Sequence, residues 1–144
     1  MPYKLDGVDG TNTRKGRQIT IYCSTAVAVG DWVEVDTADT TNGAGNSVKK
    51  AATAAGGLVC AVAEETITAA GNVQITVSGM PITQVANVAT ASGIGDALKH
   101  SSTAGRCETA TAKDGEQVCG WAITEPASNV AASVFVRDRG FWPA

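Results

Sequence analysis

Apolar and polar residues alternate along several short stretches of this chain, which is the period of a β-strand. Ile19, Ile21 and Cys23 alternate with polar neighbours, and residues 73–77 repeat the pattern with Val, Ile and Val. Both stretches predict strands with one face toward the core and one toward water. Residues 58–63 are apolar at every position, which indicates a central strand covered on both sides.

The second half of the chain continues in the same way. Short stretches with strand character lie at residues 97–100, 106–110, 117–123 and 133–137. Residues 81–88 fit either a strand or one short helix. Turn signals rich in Gly, Asp and Asn separate these stretches about every 8–12 residues. We therefore predict an all-β fold of short antiparallel strands in a small barrel- or sandwich-like domain.

The first 17 residues follow neither the strand nor the helix period. They contain three glycines and several charged residues, which favours an extended N-terminal arm over residues 1–17. Residues 18–144 are then predicted to form a single β domain, which could divide into lobes at 18–80 and 81–144.

The two halves of the predicted domain resemble each other loosely. In each half a Gly-Asp turn is followed by a strand, a polar loop, a short strand and a core strand. The core strands are Val59–Ala63 and Val118–Ala122, and Cys60 and Cys119 occupy like positions in them. The intervals between turn and cysteine differ by six residues, so the pattern indicates a loose internal duplication.

Composition adds a constraint on stability. Large apolar residues (Val, Ile, Leu and Phe) number 28 of 144, which predicts a thin core stabilised by association between copies. Val, Ile and Thr total 40 whereas Leu and Met total 5, a balance that favours strands over amphipathic helices.

From the sequence we do not expect a membrane-spanning, a secreted or a nucleic-acid-binding protein. No apolar run reaches about 18 residues, so we expect no membrane span, and the first residues lack the apolar segment of a signal peptide. An acidic chain of pI about 5.0 with 5% aromatic residues offers little for nucleic acid to bind. We expect synthesis in a cytoplasm.

No catalytic constellation can be assembled from the candidate residues. The four cysteines lack the C-x₂-C spacing of zinc or redox sites, and we expect them to be core thiols, with a disulfide as the alternative: Cys23, Cys60, Cys107 and Cys119. His100 is the single histidine and is predicted to lie exposed at a strand end. We expect no enzymatic activity, no metal, no cofactor and no small-molecule substrate.

The layout resembles the small capsid cement, or head decoration, proteins of tailed bacteriophages. The resemblance covers roughly residues 19–136 and depends on a Gly-Asp turn into a hairpin, a short Val/Ile-rich strand ending in Ala, a Gly-x-Val-x-Val strand, and a later repeat of the unit. The matching segments are Gly30-Asp31, Val59–Ala63 with Glu64, Gly71–Val77, Gly95-Asp96 and Val118–Ala122. Cys60 and Trp121 depart from the usual glycine and aliphatic residue.

The resemblance implies a structural role in the virion. Such proteins bind the outer surface of an expanded icosahedral capsid, commonly as trimers, and reinforce the joints between major capsid subunits. The partners implied for this chain are therefore the major capsid protein and further copies of itself as a homotrimer, on the capsid exterior after synthesis in the host cytoplasm.

Two terminal segments supply the candidate contact residues. The arm carries two net positive charges whereas the remainder carries about five negative ones, which suits an arm that lies on an acidic neighbour. Two large aromatics near the C-terminus suit an interface between copies. The candidate contacts are Tyr3, Lys4, Leu5, Arg14, Lys15, Arg17, Phe141 and Trp142.

A carbohydrate-binding or adhesin-type β module is the alternative. Trp32, Trp121 and Trp142 could each present an indole ring to a sugar. The competing interpretation places Trp32 and Trp121 in or beside the core.

Overall fold

The computed structural model describes residues 16–52, 58–82, 86–111 and 117–138. The regular elements of these residues are eleven short strands, and the prediction of an all-β fold is confirmed. The strands are β1 (Arg17–Cys23), β2 (Trp32–Val35), β3 (Val48–Lys50), β4 (Val59–Ala63), β5 (Gly71–Ser78), β6 (Ala86–Val88), β7 (Ala97–His100), β8 (Cys107–Thr109), β9 (Val118–Ala122), β10 (Val130–Ala132) and β11 (Val134–Val136).

The strands form two sheets, which we call the first unit (β1–β5) and the second unit (β6–β11). The first unit is a closed barrel in the order β1-β3-β2-β4-β5, and the second is a six-stranded sheet in the order β10-β6-β8-β7-β9-β11. Strand β1 runs parallel to β3, and β6 runs parallel to β8; the other pairs of strands are antiparallel. Parallel pairing was not part of the prediction from sequence.

The two units share one pattern of strand pairing. Cys23 opposes Val48 in the first unit, and Val88 opposes Cys107 in the second. Before the β2–β3 loop, a residue of the first unit and its equivalent in the second are 65 positions apart, as Cys23 and Val88 are. After that loop the separation is 59 positions, as between Val48 and Cys107. The register shift within β2 also recurs at the same place in β7. The internal duplication is confirmed, and it holds residue by residue.

One loop accounts for the unequal length of the halves. Between Asp36 and Ser47, whose backbones are hydrogen-bonded, the first unit has ten residues; between Ser101 and Arg106 the second unit has four. The closing strand also differs, because the continuous β5 of the first unit corresponds to β10 and β11, which Ser133 separates.

Each Gly-Asp turn has a specific structural task. Gly30 and Gly95 have positive φ angles of 87° and 84°, a conformation that costs little only for glycine. Asp31 and Asp96 each accept a hydrogen bond, of 2.9 and 2.7 Å, from the backbone N–H three residues earlier. These carboxylates close the turn that precedes the second strand of each unit.

Two apolar clusters form the core. The interior of the first unit contains Cys23, Val27, Val33, Val48, Cys60, Ala61, Ala63, Val73, Ile75 and Val77. The other cluster joins the interior of the second unit to residues that point outward from the first: Trp32, Ala51, Val59 and Val62 with Ala86, Val88, Leu98, Cys107, Cys119, Ala122, Ala132, Val134 and Val136. The units therefore share a continuous apolar interface.

Three local expectations can now be compared with the structure. Arg17, predicted as the end of the arm, is the first residue of β1 and opposes Ser78. All four cysteines are buried thiols, as expected. The prediction of an exposed His100 was wrong, because the residue is half-buried and its Nε2 is inaccessible to water; it ends β7 opposite the buried Cys107 of β8.

The Gly95→Ala variant should be less stable by about 1–2 kcal/mol, because alanine is strained at the positive φ of this position. No other atom lies within 4 Å of the added methyl group, so the backbone conformation is the whole cause. Gly71→Ala is the matched control, because its Cβ also meets nothing within 4 Å and its φ is not positive. It should be neutral or slightly stabilising. Urea denaturation of both variants measures the difference, and equal free energies of unfolding would contradict the role given to Gly95.

Candidate functional site

Most of the predicted contact residues lie outside the described residues: Tyr3, Lys4, Leu5, Arg14, Lys15, Phe141 and Trp142. Arg17 is described, and it lines an open groove of about 520 Å³. We call this the terminal groove; it is lined by Gly16, Arg17, Ser78, Gly79, Met80, Phe135, Val136 and Asp138.

The terminal groove lies where the two units meet and where both chain ends join the body. The Gly16 N–H donates to the Met80 carbonyl over 2.8 Å, which holds the start of β1 beside the end of β5. Gly79 and Val136 exchange two backbone hydrogen bonds of 2.9 Å and so connect the units. Gly16 and Asp138, the first and last described residues, both line this groove.

An exposed aromatic pair borders the groove. Trp121 in β9 lies directly opposite Phe135 in β11, with ring centroids 6.3 Å apart and ring planes tilted by 52°. Trp121 is 37% exposed and Phe135 is 44% exposed. A Cβ at Gly120 would collide with the Phe135 carbonyl oxygen, so the glycine allows β11 to approach β9 this closely. The pair presents a small apolar surface to water.

The sequence contained part of the signal for this pair. In the stretch 133–137, Val134 and Val136 alternate with Phe135, and a strand of this pattern places Phe135 on the side opposite the two valines. That Phe135 meets Trp121 depends on the pairing of β11 with β9, and no local pattern specifies that pairing.

The other tryptophan of the described residues is structural. Trp32 is fully buried, its indole Nε1–H donates a 3.0 Å hydrogen bond to the Asn87 carbonyl in the second unit, and its backbone N–H donates to the Gly105 carbonyl. Trp32 therefore cannot present its ring to a sugar. Trp142 lies outside the described residues.

Several carboxylates bind neighbouring groups of the protein. Asp31 Oδ2 lies 3.1 Å from Lys50 Nζ, and Oδ1 accepts a 3.0 Å hydrogen bond from Asn87 Nδ2, so this side chain also connects the units. Asp36 accepts a 2.6 Å hydrogen bond from the Ser24 hydroxyl. These contacts assign both carboxylates to structural roles.

Asp39 organises the longer loop of the first unit. Hydrogen bonds from the Ser47 hydroxyl and from the backbone and side chain of Asn42 lower the pKa of Asp39 well below its ordinary value. Asp39 also accepts a 2.8 Å hydrogen bond from the Thr41 N–H. The hydrogen bonds favour the ionised carboxylate at neutral pH.

The two units contain the same cross-strand ion pair with its charges exchanged. Glu34 opposes Lys49 in the first unit, and Lys99 opposes Glu108 in the second, with N–O distances of 3.6 and 3.8 Å. The first pair is the more buried: the Glu34 side chain is 5% exposed, whereas Lys99 and Glu108 are 24% and 26% exposed.

Residues 16–52, 58–82, 86–111 and 117–138 contain neither a metal-binding cluster nor a membrane-spanning helix. In these segments no three His, Cys, Asp or Glu side chains are placed to bind a metal ion together. The same segments contain no helix of sufficient length and apolarity to cross a bilayer.

The comparisons with known proteins concern the fold. No protein-family model matches the sequence, and no curated protein matches it. Among solved structures, the chain is similar to the N base of the head fiber gp8.5 in bacteriophage phi29, with a TM-score of 0.54 and 11% sequence identity. The similarity covers 84% of this chain and 93% of the phage protein, so nearly the whole of that base shares this two-unit β fold.

The Lys49→Met variant should lose about 2 kcal/mol of stability, because it leaves the buried Glu34 carboxylate without its ion-pair partner. Lys99→Met is the matched control, since it removes the equivalent but more accessible pair and should cost less than about 1 kcal/mol. Thermal and urea unfolding give both values. Equal losses in the two variants would show that burial does not distinguish these pairs.

Proposed function

We propose that this chain is a structural virion protein of a tailed bacteriophage. In this proposal it binds the outer surface of the capsid as a cement or decoration protein and stabilises the joints between major capsid subunits. Its partners are the major capsid protein and further copies of itself as a homotrimer, and it has no catalytic role. It is made in the host cytoplasm and acts on the capsid exterior.

The observation that carries this proposal is the shared fold. The structural similarity to the base of a phage head fiber covers 93% of that chain at a TM-score of 0.54. At 11% identity this similarity establishes the fold alone, and the step to a virion role combines it with the resemblance of the Gly-Asp turns and the repeated core strands to decoration proteins.

The position of the chain ends supports binding through one end of the molecule. Gly16 and Asp138 both line the terminal groove, and Phe135 of the aromatic pair forms part of its wall. The first and last described residues of the chain and one member of the exposed aromatic pair therefore lie on one surface. A basic arm that binds by charge and by strand addition would extend from this surface to an acidic neighbour.

A sugar-binding module is the second candidate, because Trp121 is partly exposed. Titration with a panel of mono- and oligosaccharides, followed by tryptophan fluorescence, separates the two functions. A saturable change that is lost in Trp121→Ala would favour sugar binding, whereas the virion proposal predicts no such change.

Removal of residues 1–15 should weaken binding to expanded capsids roughly tenfold or more, while the body stays folded. The truncated chain begins at Gly16, because Gly16 is hydrogen-bonded to Met80 and Arg17 begins β1. Co-sedimentation with capsids that lack this protein measures the affinity, and circular dichroism checks the fold.

The control for this truncation keeps the full length and neutralises charge. The Arg14→Gln, Lys15→Gln variant should bind with intermediate affinity and with a weaker dependence on salt than the wild type. If the truncated chain binds as tightly as the intact one, the arm does not anchor the protein.

A further inference from the structure

The internal duplication allows the two units to be compared position by position on their outward faces. Along β4 and β5 of the first unit, Val62 and Thr76 lie opposite each other and point away from the barrel interior that Ile75 and Val77 fill. Trp121 and Phe135 are opposite each other at the equivalent places in β9 and β11 of the second unit. The surroundings of Val62 and Thr76 can therefore be compared with those of Trp121 and Phe135, their equivalents in the second unit.

In the first unit this outward face is covered. Val62 and Thr76 are 0% exposed, and β9 and β11 of the second unit contact the strands that carry them. Val62 belongs to the same apolar cluster as the interior of the second unit. Val62 is thus buried by packing against the interior of the second unit, while the Thr76 hydroxyl is hydrogen-bonded to Glu64 and Gln18.

In the second unit the equivalent face is exposed and yet more apolar. Trp121 is the equivalent of Val62 and is 37% exposed. Phe135 is the equivalent of Thr76 and is 44% exposed. The water-facing side of an antiparallel sheet ordinarily carries polar residues. Two large aromatics at these positions are characteristic of a surface that becomes covered.

We propose that further copies of this chain cover the aromatic pair, so that equivalent faces of neighbouring copies pack together about a symmetry axis. Inside the chain the counterpart of this face, on the first unit, is covered by the second unit. Association of like faces between copies would bury every copy of the aromatic pair at once. The inference deepens the proposed function, and it rests on the self-association included there by naming the surface responsible.

The geometry gives this interface a centre and a rim. A stable interface buries about 800 Å² on each partner, more than two side chains supply, and aromatic residues at its centre contribute most of the binding energy. Trp121 and Phe135 would form that centre. The adjoining terminal groove, with Arg17 and Asp138 in its lining, would form the polar rim.

The test compares the wild-type chain with the Trp121→Thr, Phe135→Thr variant in the absence of capsids. Threonine is a good strand former and is already the residue at the position equivalent to Phe135, so the double variant should fold. Sedimentation velocity over a concentration series should show an oligomer for the wild type and a dissociation constant raised roughly tenfold or more for the variant.

Val130→Thr is the matched control, because Val130 is 43% exposed and lies in β10, at the opposite end of the strand order from β11. It should associate like the wild type. A wild-type chain that stays monomeric at every concentration, or a double variant that associates as tightly as the wild type, would overturn the proposal.

A second measurement stays informative if the double variant fails to fold. In a Trp142→Phe chain, Trp32 is buried and Trp121 is the accessible indole, so acrylamide quenching should fall as the concentration rises and copies cover Trp121. Quenching that does not change with concentration would contradict the interface.

Capsid binding is assayed separately, so that failure of this inference is distinguished from failure of the proposed function. A double variant that keeps its oligomeric state but no longer binds capsids would assign the aromatic pair to the capsid protein and overturn self-association through it. A double variant that becomes monomeric would support the inference whether or not the wild type binds capsids.

Discussion

The burial of the first unit's outward face by the second is the interaction on which the rest of the structure depends. Trp32 is its centre: the side chain is fully buried, its indole N–H is satisfied by Asn87, and its backbone is bonded to Gly105. Asp31 adds polar contacts to Lys50 and Asn87. Truncation of a buried tryptophan costs about 3–5 kcal/mol, a large part of the 5–15 kcal/mol typical of a domain. A thin core can therefore suffice because the interface between units extends it.

The two units share one pattern of pairing although their sequences differ, because residues that contact each other differ together between the units. Cys23 opposite Val48 in the first unit corresponds to Val88 opposite Cys107 in the second, which keeps the combined side-chain volume at that place in each unit. The ion pair of β2 and β3 recurs in β7 and β8 with its charges exchanged. In the same way Trp32 opposite Val62 corresponds to Ala97 opposite Trp121, which moves the large side chain to the other strand of the pair.

Sequence reasoning found the features that local chemistry determines. The strand period placed β1, β4, β5 and β9 within a residue or two, and the Gly-Asp pairs identified two turns whose glycines need positive φ angles. It identified the repeat from the position of Cys60 and Cys119, which both fill the interior of their units.

Features that depend on pairing between distant segments could not be found in this way. The parallel pairs β1–β3 and β6–β8 join strands with another strand between them in the chain, and no periodicity indicates that choice. Whether a tryptophan is buried depends on which face the other unit covers, so Trp32 and Trp121 looked alike in sequence although their exposures are 0% and 37%. His100 was misjudged for the same reason, since its place opposite the buried Cys107 depends on the pairing of β7 with β8.

Cryo-electron microscopy of virions that carry and lack this chain tests the central claim most directly. The account predicts additional density on the outer surface of the capsid, over joints between major capsid subunits. The two-unit β fold should fit that density, with the aromatic pair directed toward a neighbouring copy of the chain. Reconstructions with no difference on the capsid exterior, or with the chain found only at another part of the virion, would contradict it.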